Sequence, residues 1–153
     1  MPAASDAPLR LPHTFRPLGV RIVSYVLGVL LLVLTVVTWL AFPAEIRAQF
    51  TPFQKLTVVA FGVLFYACGY ALARSRLVAR DSGLTVVNGY RTRRYEWNEI
   101  LAISLRPGSP WAVLDLSDGT SVPAMGIQGS DGTRALGQVR QVRALIEHLT
   151  RPR

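Results

Sequence analysis

The sequence predicts an α+β protein with a membrane segment: a two-helix transmembrane hairpin, then an antiparallel β-sheet bent toward a partial barrel and capped by a C-terminal amphipathic helix. Three observations predict it. Charged residues make up only 17% of the 153 residues, against about 25% in soluble domains, and the deficit is concentrated in Ile22 to Phe42 and Leu56 to Ala73, which contain no Asp, Glu, Lys, Arg or His. From Arg76 onward, short alternating runs are separated by turn dipeptides. Near the end, apolar residues recur at helical spacing.

The first 19 residues contain four prolines (Pro2, Pro8, Pro12, Pro17) and no periodic pattern, so residues 1–19 are expected as a flexible tail. The first apolar run, Ile22 to Phe42, has 21 residues. At about 1.5 Å per residue it matches a hydrocarbon core of about 30 Å. It is too long for the apolar core of a cleaved signal, and Ala41-Phe42-Pro43 is a poor cleavage site, so a retained anchor is expected. Tyr25, Trp39 and Phe42 stand where interfacial aromatics belong. The second run, Leu56 to Ala73, has 18 residues and is bracketed by Lys55 and Arg74, whose long side chains reach the headgroups. Its small residues Gly62, Ala67, Gly69, Ala71 and Ala73 are candidates for helix packing. Residues 20–73 thus form the hairpin, with a short connection between the spans.

Arg10, Arg16 and Arg21 precede the first span, and Arg74, Arg76 and Arg80 follow the second, while the connection holds Arg47 and Lys55. The positive-inside rule then places both termini in the cytoplasm and the protein in the plasma membrane as a two-span chain. With no ionisable group in either span, the hairpin reads as an anchor or docking surface and not as a transport pathway. Cys68, the single cysteine, is expected to be an inert packing residue, since a thiolate is disfavoured in hydrocarbon.

In residues 74–153, six runs are expected as strands: Leu77 to Arg80, Leu84 to Val87, Tyr90 to Trp97, Leu101 to Arg106, Trp111 to Leu116 and Thr120 to Pro123. Asn88-Gly89 is a strong hairpin signal. The connections leave no room for crossover helices, so the strands form an antiparallel meander. Leu101, Ile103 and Leu105 should share one face, and Ala112, Leu114 and Leu116 another. Trp97 should be core, Trp111 more exposed, and Trp97 to Ile100 a bend. Ser130-Asp131-Gly132 supplies a plausible N-cap for a helix whose stripe is Ala135, Val139, Val142, Ile146 and Leu149. That face should close one open end of the sheet.

The strings RLVARDSGLTVVNGYRTRRYEWNEILAISL and WAVLDLSDGTSVPAMGIQGSDGTRA resemble the bacterial PH-domain (pleckstrin-homology-like) family of small actinobacterial membrane proteins. The resemblance runs from about Arg74 to Leu149; Tyr95-x-Trp97-x-Glu99-Ile100 and the late Asp-Gly turn are its most specific pieces. It implies six or seven short strands closed by one helix, two transmembrane segments in front, and no enzymatic activity. Only six strands are found in the soluble part, one fewer than a complete seven-stranded domain.

Arg91, Arg93 and Arg94 follow the Asn-Gly turn and are the candidate contacts for an anionic group, with Arg91 and Arg93 on one strand face and Arg94 on the other. Residues 74–153 hold 12 basic and 7 acidic residues, which favours an anionic neighbour such as the lipid headgroup layer. Nucleic acid is not indicated, for there is no zinc-finger spacing, helix-turn-helix pair or long basic tract. Nor is there a metal-ligand cluster, a cofactor motif, or a nucleophile with a base and an orienting group. The sequence therefore points to a non-enzymatic accessory or scaffold protein docking in or beside a larger membrane complex. The alternatives are a module binding anionic lipid headgroups or phosphate, and an auxiliary transporter subunit.

Overall fold

The structure, a computed structural model, describes residues 9–150; whether residues 1–8 form a flexible tail lies outside the described residues. Helix α1 spans Gly19–Ala41 and helix α3 Pro52–Arg74, 23 residues each, or about 34 Å at 1.5 Å per residue. Helix α1 starts about a turn before its charge-free run and α3 about a turn before its own, and both are long and apolar enough to cross a bilayer. Their side chains are exposed along nearly the whole length. The connection folds into a short helix, α2 (Ala44–Gln49). Thr51 then starts α3 with a reciprocal cap: its hydroxyl accepts from the Gln54 amide and its own amide donates to the Gln54 side chain, ahead of Pro52 at the first helical position. Phe50 packs against Trp39 and Phe42, and Lys55 lies over the Trp39 ring, closing this end of the hairpin.

The expected flexible tail requires a correction. His13–Phe15 forms strand β1, and Phe15 is buried at 1% exposure in the main core, with Pro17 also buried and Leu9 and Leu11 packed against that core. Strand β1 pairs antiparallel with β2 (Arg76–Arg80), placing Phe15 opposite Leu77. The whole hairpin is therefore inserted between two hydrogen-bonded neighbouring strands, and β1 provides the strand missing from the soluble part.

Strands β3 (Gly83–Asn88) and β4 (Arg91–Tyr95) complete a four-stranded sheet of order β1-β2-β3-β4. Strands β5 (Ile100–Ser104), β6 (Trp111–Leu116) and β7 (Ser121–Gln128) form a second sheet of order β5-β6-β7. Strand β7 runs well past the expected Pro123 and crosses β2 so closely that a Cβ on Gly126 would stand 2.6 Å from the Arg76 backbone. Asn88 ties the sheets together, its amide nitrogen donating to the Pro123 carbonyl at 2.5 Å and its oxygen accepting from the Met125 amide at 3.0 Å. The tight turn consequently falls on Gly89-Tyr90, one residue later than Asn88-Gly89, with Gly89 at φ +58°.

A register shift between Ile100 and Ala102 alters the expected face of β5. Ile100 and Ile103 are buried, while Leu101 is 64% exposed, because a bulge interrupts the two-residue alternation. Trp97 begins a 3-10 turn and is buried, its indole N–H donating to the Arg80 carbonyl. Helix α4 (Thr133–Thr150) lies mainly on β5. It buries Ala135, Val139, Val142 and Ile146 of the expected stripe, whose fifth member, Leu149, is partly buried against the core, together with Leu145 and Gln138.

Candidate membrane-interface site

Inserting the hairpin between β1 and β2 forces its two ends side by side. Arg16 follows β1, Arg21 lies in the first turn of α1, Arg74 ends α3 and Arg76 opens β2. These four arginines, with Tyr25, Tyr70 and Ala73, line one recess of about 150 Å³. The sequence reading uses these arginines for membrane orientation, and Arg74 also for reaching the headgroups, without grouping them into a site. The signal that unites them is the hairpin itself, since closing it must join the residues that flank it. Arg74 is fixed by aromatic contact, its guanidinium carbon 5.8 Å from the Tyr70 ring centre and 5.9 Å from that of Tyr90. Arginine hydrogen bonds among the described residues, Arg80 to Thr85 and Arg143 to the Ile103 carbonyl, involve none of the four.

The start of α1 is held by a distant side chain. Both carboxylate oxygens of Asp131 accept backbone N–H bonds, one from Leu18 and one from Gly19, each at 2.8 Å. Asp131, expected in the turn that caps α4, thus instead caps the first apolar helix and answers the positive end of the α1 dipole.

The β3–β4 turn docks on the end of α3. The Gly89 amide donates to the Ser75 hydroxyl, which itself donates to the Ala71 carbonyl. The Tyr90 hydroxyl donates to the Ala67 carbonyl at 2.8 Å, and its ring faces Tyr70. A groove of about 300 Å³ runs beside this contact, lined by Ala71, Leu72, Asn88, Tyr90, Arg91 and Met125 among others.

Arg91, Arg93 and Arg94 are all exposed on β4, the outer strand of its sheet. Register places Arg91 and Arg93 opposite Asn88 and Val86, on the face that carries Tyr95 into the core, and Arg94 on the reverse face. Only Arg91 reaches the groove. Among the small residues, Gly69 faces Ser24 of α1, where a Cβ would lie 3.7 Å from the serine Cβ, and Ala71 backs the Gly89 turn. Ala73 is buried, and Ala67 receives Tyr90. Gly62 has no neighbour within 4 Å of an added Cβ and is open. Cys68 is exposed on the hairpin surface. Among the described residues no three His, Cys, Asp or Glu side chains could hold a metal. Guanidinium and phenol groups supply hydrogen-bond donors and positive charge, which is the chemistry of binding an anion.

Comparison with known proteins supports the fold. An uncharacterized protein of Mycobacterium bovis and two of Mycobacterium tuberculosis are each 37% identical to this chain over 97 residues. The match covers 61% of this chain and 63% of each relative's length. No solved structure matches the chain. Residues 74–145 match the model of the Bacterial PH domain, and strand β1, which completes the first sheet, lies outside that span. This match, carried on the strands and the closing helix, supports assigning residues 74–145 to the Bacterial PH domain family.

Proposed function

We propose that this chain is an accessory subunit that docks a larger membrane-protein complex in the plasma membrane, with the PH domain on the cytoplasmic side. Its family and its two apolar helices support a membrane-associated, non-catalytic interaction module. The observation that carries the finer reading is the insertion of the hairpin between β1 and β2, reinforced by Asp131 on α1 and Tyr90 on α3. A tether needs no such joints. A module that must present one surface in the bilayer and another beside it at fixed relative positions does need them. The exposed apolar side chains of the hairpin then meet lipid on one side and a partner's helices on the other, and the domain offers Leu101 on β5, 64% exposed.

Photocrosslinking residues placed at Phe61 and at Leu101 in native membranes test this reading. Discrete adducts to one and the same protein from both positions are expected. Smeared lipid adducts at Phe61 and none at Leu101 would overturn it.

A second reading, contact with an anionic surface through Arg91, Arg93 and Arg94, is supported by their exposure on an edge strand. It requires that Arg91→Ala with Arg93→Ala in the whole protein weakens association with an acidic partner or surface. Unchanged association removes these residues from the account.

A further inference from the structure

The recess at the domain-facing end of the hairpin is built in two layers. Arg21 and Tyr25 are four residues apart on α1, as are Tyr70 and Arg74 on α3, so each pair shares a helix face one turn apart. Because α1 and α3 run in opposite directions, the two arginine positions fall at one level of the hairpin and the two tyrosine positions at the next, about one turn deeper. Arg16 and Arg76, at the ends of the paired strands, add to the guanidinium layer.

We propose that this recess binds the phosphate of an anionic phospholipid, with the phosphate in the guanidinium layer and the phenols of Tyr25 and Tyr70 against the glycerol region. Four positive charges converge here, where α1 begins and α3 ends. The carboxylate at this corner, Asp131, commits both oxygens to backbone amides. Such a concentration of like charge calls for an anion, and planar guanidinium groups match phosphate oxygens bidentately. The recess, of about 150 Å³, has room for a phosphate group. Depth selects the lipid over the soluble anion: the phenols, 60% and 44% exposed on the hairpin surface for Tyr25 and Tyr70, stand where tyrosines mark the headgroup layer. This site is separate from β4 and does not depend on any protein partner.

The test uses the whole protein in phosphatidylcholine nanodiscs containing a small fraction of phosphatidylglycerol, with retained lipid counted by native mass spectrometry after detergent release. Wild type should retain phosphatidylglycerol selectively. Arg21→Gln with Arg76→Gln should lower that retention about tenfold or more, each arginine near the headgroups being worth roughly a factor of five. Arg80→Gln with Arg140→Gln, which removes the same charge from residues outside the recess, should leave retention nearly unchanged. Equal losses in the two variants would mean diffuse attraction and overturn the site, as would no loss in either. In a parallel arm, inorganic phosphate is added to lipid-free protein in a neutral detergent. Stabilisation that the Arg21/Arg76 variant loses, without selective lipid retention, would assign the recess to a soluble phosphate and overturn the lipid source. If the double variant fails to fold, Arg16→Glu at an exposed position carries the same comparison.

Discussion

Asp131 accepts hydrogen bonds from amides 113 and 112 positions away, so a single carboxylate joins the last turn of the domain to the first turn of the hairpin. Asp131→Ala should cost about 1 kcal/mol. Asp131→Asn, which keeps a side-chain acceptor and loses the charge favoured by the helix dipole, should cost less. Thermal unfolding in detergent measures both, and equal melting for Asp131→Ala and wild type would show the cap to be inert. Asn88 is the second such residue: Asn88→Ala strands the Met125 amide and should cost about 1–3 kcal/mol, read in the same way. Asp118 offers a pH readout. The Thr120 hydroxyl, and then the Thr120 amide, hold its carboxyl below the ordinary aspartate range. Its stabilising contribution is therefore full above the unfolded value and disappears as pH falls through the lower folded one, in the window below about pH 4. Thr120→Ala should move that titration upward in a carboxyl-detected NMR experiment; an unmoved titration would mean that Thr120 is not the cause.

Among the elements, β1 matters most out of proportion to its length. Phe15 fills the core against β2, so Phe15→Ala should cost about 3–5 kcal/mol. A fragment of residues 74–153 should fail to give a cooperative unfolding transition, while fusing residues 9–18 ahead of it through a flexible linker should restore one. A cooperative melt of the bare fragment would contradict the role assigned to β1. Gly126→Ala should destabilise by forcing β7 away from Arg76. The sequence already carries the hairpin, the six later strands and α4, because each is specified by its own periodicity or turn residues. Strand β1 was hidden for a physical reason: three residues between Pro12 and Pro17 have no period to detect, and their partner lies beyond the hairpin. The bulge in β5 and the shifted Gly89-Tyr90 turn were hidden likewise, since contacts across the sheets, not local propensity, decide them. Arg91, Arg93 and Arg94 could be placed on their faces from alternation alone, whereas the four-arginine recess arises only when the hairpin closes.

At the scale of the whole molecule, pairing of β1 with β2 constrains topology more tightly than a count of arginines. Strands that share hydrogen bonds must lie on one side of the bilayer, so the hairpin between them crosses an even number of times. We expect a cysteine replacing Glu45 in α2 and one replacing Ser82 in the β2–β3 turn to react with a membrane-impermeant maleimide from opposite faces, with Glu45 on the outer one. Labelling of both from the same face would refute a spanning hairpin.

The insertion also sets an order of events during biosynthesis. Strand β1 leaves the ribosome first and has nothing to pair with until both helices have entered the bilayer and β2 has emerged on the same side. A hairpin that stalls halfway or inserts once leaves Phe15 without its pocket and the domain unfinished. Completion of the sheet thereby depends on both ends of the hairpin lying on one side.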